Sequence, residues 1–163
     1  PRRKPASNPG GQRPAGNSSP MAERRAVGGV ASLADAKAHK RPILGEILAY
    51  DDSGTKPEWV MEAPILSVKN LLAKAKLTIA DIDLLEHNEA FASASCAVAK
   101  GVGIPDERFN VNGGAVARGH PIGASGARIL LGPAYELKRR GGGKGISTLC
   151  QGGGNEGSKL LKV

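Results

Sequence analysis

From Pro42 onward, short apolar runs alternate with longer segments of helical periodicity, and this alternation constrains the fold more than any other feature of the chain. Strands and helices that alternate in this way bury their apolar surfaces by packing helices onto a sheet, which predicts an α/β domain. The acidic stretch at residues 51–54 predicts a turn that ends the first strand. Strands are predicted over residues 43–50, at Leu84–Leu85, and over residues 145–149 and 157–163, the last two antiparallel; helices are predicted from Pro64, from Asn88, and from residues 124–126 to about Arg140.

The helix that is predicted from Pro64 has a clear amphipathic pattern. Its apolar residues recur at three-to-four spacing, whereas Lys69 and Lys74 fall elsewhere on the helical wheel. This pattern predicts a helix that packs one apolar stripe against the sheet. The stripe consists of Ile65, Val68, Leu71, Leu72 and Ala75.

The composition favours one compact domain with an interior of small side chains. A chain of 163 residues with 40% hydrophobic content is long enough to bury a single core. It contains 23 glycines and only 3% aromatic residues, so Ala, Leu, Ile and Val must fill that core around close backbone approaches. This composition favours an α/β domain over an aromatic-rich β-sandwich.

The first 41 residues differ from the remainder, and we interpret them as a basic tail or loop that precedes a domain at residues 42–163. Residues 1–25 carry six basic residues and one acidic residue, a net charge of +5. The segment is rich in Pro, Gly and Ser, and it buries too little apolar surface to offset the entropy of ordering. It has no aromatic residue on which a base would stack, so nucleic-acid binding is not expected.

Neither a membrane span nor a disulfide framework is expected. No apolar run approaches the roughly 20 residues that a membrane-spanning helix needs, and no apolar signal-peptide core follows the basic N-terminus. The two cysteines, Cys96 and Cys150, occur without secretory features, which predicts free thiols in a reducing compartment. Cys96, in an alanine-rich helical segment, is predicted to be buried.

Three separated segments carry groups suited to chemistry: HNEAF at residues 87–91, NGGAVARGHPIGASGAR at 112–128 and CQGGG at 150–154. They supply an amide at Asn88, an imidazole at His120 and a thiol at Cys150. Together these groups are able to generate and hold the enolate of a thioester. Each residue taken alone also suits a structural role, because Asn88 fits a helix N-cap, His120 an incidental loop position and Cys150 a buried strand end.

The glycine-rich segment does not fit a nucleotide-binding loop. Residues 114–119 have the outer spacing of a Walker A motif, but His120 and Pro121 replace the residues that clamp phosphate. The glycines at 119, 123 and 126 fail the dinucleotide fingerprint. What remains is a tight bend, fixed by Pro121, that presents His120.

In order and spacing, these segments resemble the NEAF, GHP and CxG motifs in the C-terminal half of thiolases, enzymes that join or split acyl groups on coenzyme A. The resemblance implies a thiolase-like C-terminal domain, a mixed sheet with helices packed on it. It further implies that His120 activates a nucleophilic cysteine and then donates to the thioester oxygen. Asn88 would hold a water in the same oxyanion hole, Cys150 would exchange the α-proton as base or acid, and the N–H of Gly152 would serve a second oxyanion hole.

The resemblance also implies residues along the pantetheine arm of coenzyme A, and it exposes two departures from the family pattern. Glu89 would support the polar network around the catalytic residues. Arg118 places a charge two residues from His120, where it would depress the pKa of the imidazole or clash with the packing. Pro133 falls inside the last long helix, where proline ordinarily kinks the axis. The pantetheine-lining residues would be Ser19, Met61, Ala90 and Phe91.

The implied activity is that of an acetyl-CoA C-acetyltransferase, which condenses acetyl-CoA or thiolyses 3-ketoacyl-CoA. The acyl-accepting cysteine of the family lies in the N-terminal half, which this sequence does not include, so the isolated chain is expected to be catalytically incomplete. It would take that half from the same or another chain, form a homo-oligomer, and use a coenzyme A thioester as substrate without a tightly bound cofactor or metal. A cytoplasmic location is expected, with mitochondria or peroxisomes as alternatives. The alternative function is a non-catalytic thiolase-like module that binds acyl-CoA or a protein partner.

Overall fold

The computed structural model describes residues 14–163 and is built on a four-stranded sheet. β2 and β3 run parallel, and β4 is antiparallel to its neighbours β3 and β1, in the order β1-β4-β3-β2. This mixed sheet confirms the predicted α/β class. The strands are β1 (Glu46–Gly54), β2 (Leu84–His87), β3 (Lys144–Cys150) and β4 (Asn155–Lys162).

Helices pack on both faces of this sheet. Leu84 and Leu85 are neighbours on β2 but belong to different core clusters, the first with α5 and the second with α2, because side chains alternate between faces along a strand. Within residues 14–163, the structure contains no helix with the length and apolar character that spanning a bilayer requires. The helices are α1 (Leu33–Ala38), α2 (Ala63–Ala75), α3 (Ala92–Val102), α4 (Ala115–Arg118) and α5 (Ile122–Arg140).

The larger core lies between α2 and the sheet, as the stripe on this helix predicted. Val68 and Leu71 have no exposed surface, and they pack with Leu85, Ile146 and Leu160 from three strands. Pro64 lies in the first turn of α2, where its missing N–H breaks no helical bond. The helix ends at Lys76, which adopts the left-handed conformation with φ 55°. A smaller cluster of Leu84, Ala134, Leu137 and Leu161 fills the α5 face.

The turn that was predicted at residues 51–54 is wrong, since β1 continues to Gly54. Asp51 and Asp52 pair with Ser158 and Gly157 of β4. β1 is an edge strand of the sheet, where acidic side chains reach solvent without leaving the ladder. The acidic residues therefore mark an exposed edge rather than a break.

Two predictions about the segment after β2 are also wrong. The helix begins at Ala92 with Phe91 as its N-cap residue, so Asn88 is not the cap. Cys96 is exposed, because the buried positions of α3 are Ala94, Ser95 and Val98 and residue 96 points away from that stripe.

The helix α5 continues through Pro133, which lies on its buried side. Proline has no N–H, so the carbonyl of Ile129, four residues earlier, loses its helical donor. Ser147 of β3 replaces that donor, because its hydroxyl donates to the Ile129 carbonyl oxygen at 2.6 Å. A hydrogen bond from the sheet thus offsets the cost of an interior proline.

Candidate active site

Asn88 lies immediately after β2, where the backbone is held from two sides. Its N–H donates to the Thr148 carbonyl at 3.1 Å, which extends the parallel pairing with β3 by one residue. Its own carbonyl accepts from the N–H of Ala115 at 3.2 Å, which ties it to the start of α4. The residue is only 1% exposed. Its position is therefore fixed by the sheet, and its side chain is available for interactions within the protein.

The Asn88 side chain joins the other two motif segments. Its Oδ1 accepts a hydrogen bond from Nη2 of Arg128 at 3.1 Å. Its Nδ2 lies 3.4 Å from Nδ1 and 3.3 Å from Nε2 of His120. These two distances are nearly equal, so the amide lies beside the ring rather than forming one directed bond to either nitrogen. The structure thus brings an amide NH2 group and an imidazole side by side.

His120 is held by its backbone and by one ring nitrogen. Gly119, with φ 85°, allows the sharp bend before it, and the His120 N–H donates to the Pro20 carbonyl at 3.1 Å. The ring atom Nδ1 lies 2.7 Å from Oγ of Ser125. The helix that was predicted from residues 124–126 begins earlier, at Ile122 with Pro121 as its N-cap residue, so Ser125 lies inside α5.

The hydrogen-bond pattern at Ser125 determines which nitrogen of His120 carries the proton. The Ser125 hydroxyl donates to the Pro121 carbonyl at 3.0 Å, so its oxygen is left to accept from Nδ1–H. Nε2 then carries the lone pair. A neutral imidazole in this tautomer is able to take a proton from a thiol at Nε2 and afterwards donate it to an oxygen.

Electrostatics favour the neutral form of His120. Burial lowers the pKa of its imidazole, and the nearby Arg128 guanidinium lowers that pKa further. The prediction that Arg118 is the responsible charge is wrong. Arg118 instead extends to within 3.8 Å of the Glu86 carboxylate, on the α5 face of the sheet. Burial raises the pKa of Glu86 to about 7, although Arg118 and Arg128 act in the opposite direction.

Cys150 is the last residue of β3, two positions beyond the Thr148 carbonyl that holds Asn88. Because β2 and β3 are parallel, Asn88 and Cys150 leave the sheet at the same edge. The sulfur is half-buried, and burial raises the pKa of the thiol. Within the part of the chain that the structure describes, no hydrogen bond links the Cys150 side chain to Asn88 or His120.

The turn after Cys150 contains Gly152, and its backbone packs against the segment that precedes α2. A Cβ at Gly154 would overlap the backbone of residues 55–57, and Gly154 has φ 89°, so glycine is required there. A Cβ at Gly152 would meet no atom within 4 Å, so the described fold does not itself require glycine at this position. Met61 is half-buried in the turn that precedes α2.

Residues 18–22 form a segment, here named the crossing segment, that lies across two of the motifs. Ser18 pairs with Phe91 in an isolated antiparallel bridge, and the Ser19 N–H donates to the Ala90 carbonyl at 3.0 Å. At its other end, Ala22 packs against Gly119 so closely that a Cβ on this glycine would lie 2.5 Å from the Ala22 Cβ. Three of the four residues that were predicted to line the pantetheine arm therefore lie together here, namely Ser19, Ala90 and Phe91.

Glu89 holds the loop around α4. Its Oε2 accepts a hydrogen bond from the Val116 N–H at 3.0 Å, and its side chain occupies the space where a Cβ on Gly114 would lie. Glu89 itself has φ 55°, in the left-handed region that few residues other than glycine adopt. A carboxylate beside the first turn of a helix also interacts favourably with the positive end of the helix dipole. Glu89 thus fixes the loop from which His120 follows.

Sequence reasoning missed the contacts that Ser125 makes with His120 and that Arg128 makes with Asn88. Both residues lie on α5, three positions apart, so they share one face of the helix. That spacing, counted from the bend at Pro121, was the signal available in the sequence. Among residues 14–163, no group of three or more His, Cys, Asp or Glu side chains is placed to hold a metal ion.

Comparison with known proteins gives consistent matches. Residues 41–163 match the family described as thiolase, C-terminal domain. The chain is 46% identical over 154 residues to an acetyl-CoA acetyltransferase of Syntrophomonas wolfei, covering 92% of this chain and 38% of that protein. It is 45% identical over 111 residues to the cytosolic acetyl-CoA acetyltransferase of Mus musculus, covering 68% of this chain and 28% of that protein.

Solved structures extend the match to nearly the whole chain. Human mitochondrial 3-ketoacyl-CoA thiolase superposes with a TM-score of 0.90 at 34% identity, covering 99% of this chain and 41% of that one. The same human enzyme in complex with CoA gives a TM-score of 0.88. The chain therefore spans about two fifths of the length of such proteins.

Proposed function

Because this chain belongs to the thiolase family and matches its C-terminal domain, we propose that it supplies the acid–base and enolate-stabilising part of a thiolase active site. The reaction is that of an acetyl-CoA C-acetyltransferase, the condensation of two acetyl-CoA molecules or the reverse thiolysis of acetoacetyl-CoA. The observation that supports this most strongly is the meeting of Asn88 and His120, from separate motifs, at the sheet edge where Cys150 ends β3.

His120 is proposed to act twice. In the tautomer described above, its free Nε2 accepts the proton of an acyl-accepting cysteine, and the resulting Nε2–H then donates to the thioester oxygen. Asn88 presents its NH2 group on the same side and holds a water that shares the negative charge of the enolate. Removing one such donor typically reduces kcat by about 10²–10³-fold.

Cys150 is proposed to exchange the α-proton. In the condensation direction, its thiolate takes a proton from the methyl group of acetyl-CoA, and the resulting enolate attacks the acyl-enzyme. In thiolysis, the thiol returns a proton to the departing enolate. Burial raises the pKa of Cys150, which favours the thiol and hence the form that thiolysis requires. Gly152 would direct its N–H toward the second oxyanion.

The other residues that the family resemblance indicates have proposed roles of the same kind. Ser19, Ala90, Phe91 and Met61 would line the pantetheine arm, with Glu89 holding the loop behind them. The acyl-accepting cysteine would come from an N-terminal thiolase half, in the same or another chain, and the assembly would be a homo-oligomer. The substrate is a coenzyme A thioester. We propose a cytoplasmic location, although the relatives include both a cytosolic and a mitochondrial protein.

One observation favours the second candidate, a thiolase-like module that binds acyl-CoA without turnover. Glu156 lies directly across the β3–β4 ladder from Cys150 and is 1% exposed. Both of its carboxylate oxygens lack a hydrogen-bond partner within the described residues. Burial raises the pKa of this carboxyl and also that of the Cys150 thiol, so the surroundings favour the neutral thiol over the thiolate. The condensation direction would suffer most from this arrangement.

Reconstitution distinguishes the two candidates. The chain is mixed with the N-terminal region of the Syntrophomonas wolfei relative, which would supply the nucleophilic cysteine, and the CoA-dependent loss of acetoacetyl-CoA is measured. We expect turnover that Cys150→Ala reduces by about 10²–10⁴-fold. A mixture that binds CoA tightly but does not turn over would favour the binding module.

A further inference from the structure

Arg128 contacts the side-chain oxygen of Asn88, whereas the side-chain nitrogen of Asn88 lies beside His120. Resting on the proposed function, we infer that Arg128 is a positioning residue that fixes the orientation of the Asn88 amide, so that NH2 rather than oxygen faces His120. The direct observation is the 3.1 Å hydrogen bond from Arg128 Nη2 to Asn88 Oδ1.

The chemistry of the two groups makes this orientation the stable one. A guanidinium has only N–H donors, whereas an asparagine side chain has one accepting oxygen and one donating nitrogen. A flipped amide would turn its NH2 group toward the guanidinium and bring donors together. It would also place the amide oxygen beside His120, where it would repel a developing oxyanion instead of stabilising it.

The backbone of Asn88 leaves this choice to the side chain. The residue is held at its N–H by Thr148 and at its carbonyl by Ala115, so the main chain is fixed. Rotation about the last bond of an asparagine side chain is broad and roughly two-fold, so packing distinguishes the two amide orientations poorly. Arg128 is the contact of the described residues that accounts for the orientation of the oxygen.

Arg128 is itself embedded in the fold at some cost. Its Nε and Nη1 atoms are buried without hydrogen-bond partners in the described part of the chain. The charge of the Glu86 carboxylate acts favourably on it, whereas Arg118 and Arg24 oppose it. A partly unsatisfied guanidinium contributes little to stability. This placement is better explained by the hydrogen bond to Asn88 than by a structural ion pair.

Arg118 offers a matched control. It is also an arginine near Glu86, at 3.8 Å, and its side chain is partly exposed, but it makes no hydrogen bond to Asn88 among the described contacts. Arg118→Met therefore removes a positive charge of the same kind from the same carboxylate. Only Arg128→Met removes the donor to the amide oxygen.

The first test needs no enzymatic activity. In the wild-type chain, NOE spectra are expected to connect the Asn88 NH2 protons with the His120 ring. Arg128→Met is expected to move the side-chain amide signals of Asn88 and to raise the pKa of His120, because a cation that lowers it is lost. Arg118→Met is expected to leave both close to wild type.

Two results would overturn the inference. One is a set of NOEs that connects the Asn88 NH2 protons to Arg128 in the wild-type chain, which shows the opposite amide orientation and requires no variant to fold. The other is an Arg128→Met protein, folded by its dispersed backbone spectrum, in which the Asn88 amide signals and the His120 titration are unchanged.

The kinetic test uses the reconstituted enzyme and separates this inference from the proposed function. Arg128→Met is expected to lower kcat for acetoacetyl-CoA thiolysis about 10- to 100-fold, with KM for CoA nearly unchanged, because the amide is misplaced only for the oxyanion. Arg118→Met is expected to stay within about threefold of wild type. If the wild-type mixture has no activity, the proposed function fails, while the NMR result still decides the role of Arg128. An increase in KM with kcat unchanged would contradict the positioning role of Arg128.

Discussion

Two halves of one sheet face differ sharply along the β3–β4 ladder. Ile146 and Leu160 are cross-strand partners in the α2 core, and both are fully or almost fully buried. Two residues further along β3, the partners on the same face are Thr148 and Ser158, whose hydroxyl groups bond to each other at 2.8 Å. The next pair is Cys150 and Glu156. Apolar contacts therefore give way to ionisable groups within four residues.

The difference shows how this fold separates stability from chemistry. The apolar half gains stability from burial, which depends on volume and shape rather than on hydrogen-bond direction. The polar end buries groups that destabilise the fold unless they are paired, and among residues 14–163 the Glu156 carboxylate oxygens and His87 Nε2 have no hydrogen-bond partner. At this end, burial lowers the pKa of His87 to about 4, and on the opposite, α5 face it raises the pKa of Glu86 to about 7. The groups that are proposed to react, Asn88 and Cys150, lie at this polar end of the sheet.

Truncating the apolar half should have the largest effect on stability. Leu71 is completely buried against the sheet, so Leu71→Ala is expected to lower the free energy of unfolding by about 2–5 kcal/mol. Leu66 lies on the exposed side of the same helix, 43% exposed, and Leu66→Ala is the control, with an expected loss below about 1 kcal/mol. Urea denaturation measures both. Equal losses would show that the α2 face is not the main source of stability.

Removing the buried charge of Glu86, on the α5 face of the sheet, should change stability in the opposite direction. The pKa of Glu86 rises on folding from 4.5 to about 7, so its contribution to stability is fully present below pH 4.5 and is lost as pH rises through about 7. Glu86→Gln is therefore expected to stabilise the protein by roughly 3 kcal/mol at pH 8 and by almost nothing at pH 4. Unfolding free energies at the two pH values measure this difference.

Glu136 on α5 gives the control for that experiment. Hydrogen bonds from Arg139 and Arg140 lower its pKa to about 2, so its contribution is present above its unfolded pKa and is lost as pH falls toward 2. Glu136→Gln is expected to destabilise the protein at pH 8 and to have less effect at low pH. If both substitutions shifted stability in the same direction at pH 8, burial would not be the cause of the Glu86 effect.

The smallest expected effect concerns the α5 face, where helix and sheet share a hydrogen bond. Ser147→Ala leaves the Ile129 carbonyl without a donor and is expected to cost about 1–3 kcal/mol. In a Pro133→Ala background, the restored N–H of residue 133 satisfies that carbonyl, so the same substitution should cost less. A double-mutant cycle from urea denaturation measures the coupling. Additive effects would mean that Ser147 does not compensate for the proline.

The parts of the fold that could be predicted from sequence are those with a local physical signal. The apolar stripe of α2, the capping box of Thr78 and Asp81, and the hairpin that follows Cys150 are each encoded by residues close together in the chain. The Thr78 N–H and Oγ1 both bond to the Asp81 carboxylate, at 2.8 and 2.7 Å. Such signals do not depend on the rest of the molecule.

Three of the wrong predictions required knowledge of a partner elsewhere in the fold. Asn88 was interpreted as a helix cap because its local sequence gives no sign of its backbone bonds to Thr148 and Ala115, which lie far along the chain. Asp51 was interpreted as a turn residue because its strand partner in β4 is more than 100 residues away and has no local signal in the sequence. Arg118 is closer in sequence to His120 than Arg128 is, but the turn of α5 brings Arg128 to the site. The motifs indicated the groups that are proposed to react, whereas tertiary structure determined which residues contact them.

The most direct test asks whether Cys150 of this chain exchanges the α-proton when the acyl-accepting cysteine is absent. Acetyl-CoA is incubated in D2O with the reconstituted enzyme, in which the nucleophilic cysteine of the N-terminal region is replaced by Ala, and deuterium in the methyl group is measured by mass spectrometry. Acyl transfer is then blocked, and we expect exchange to persist and to be lost in Cys150→Ala. Exchange that is unaffected by Cys150→Ala, or absent while the unmodified mixture thiolyses acetoacetyl-CoA, would contradict the assignment of the base to this chain.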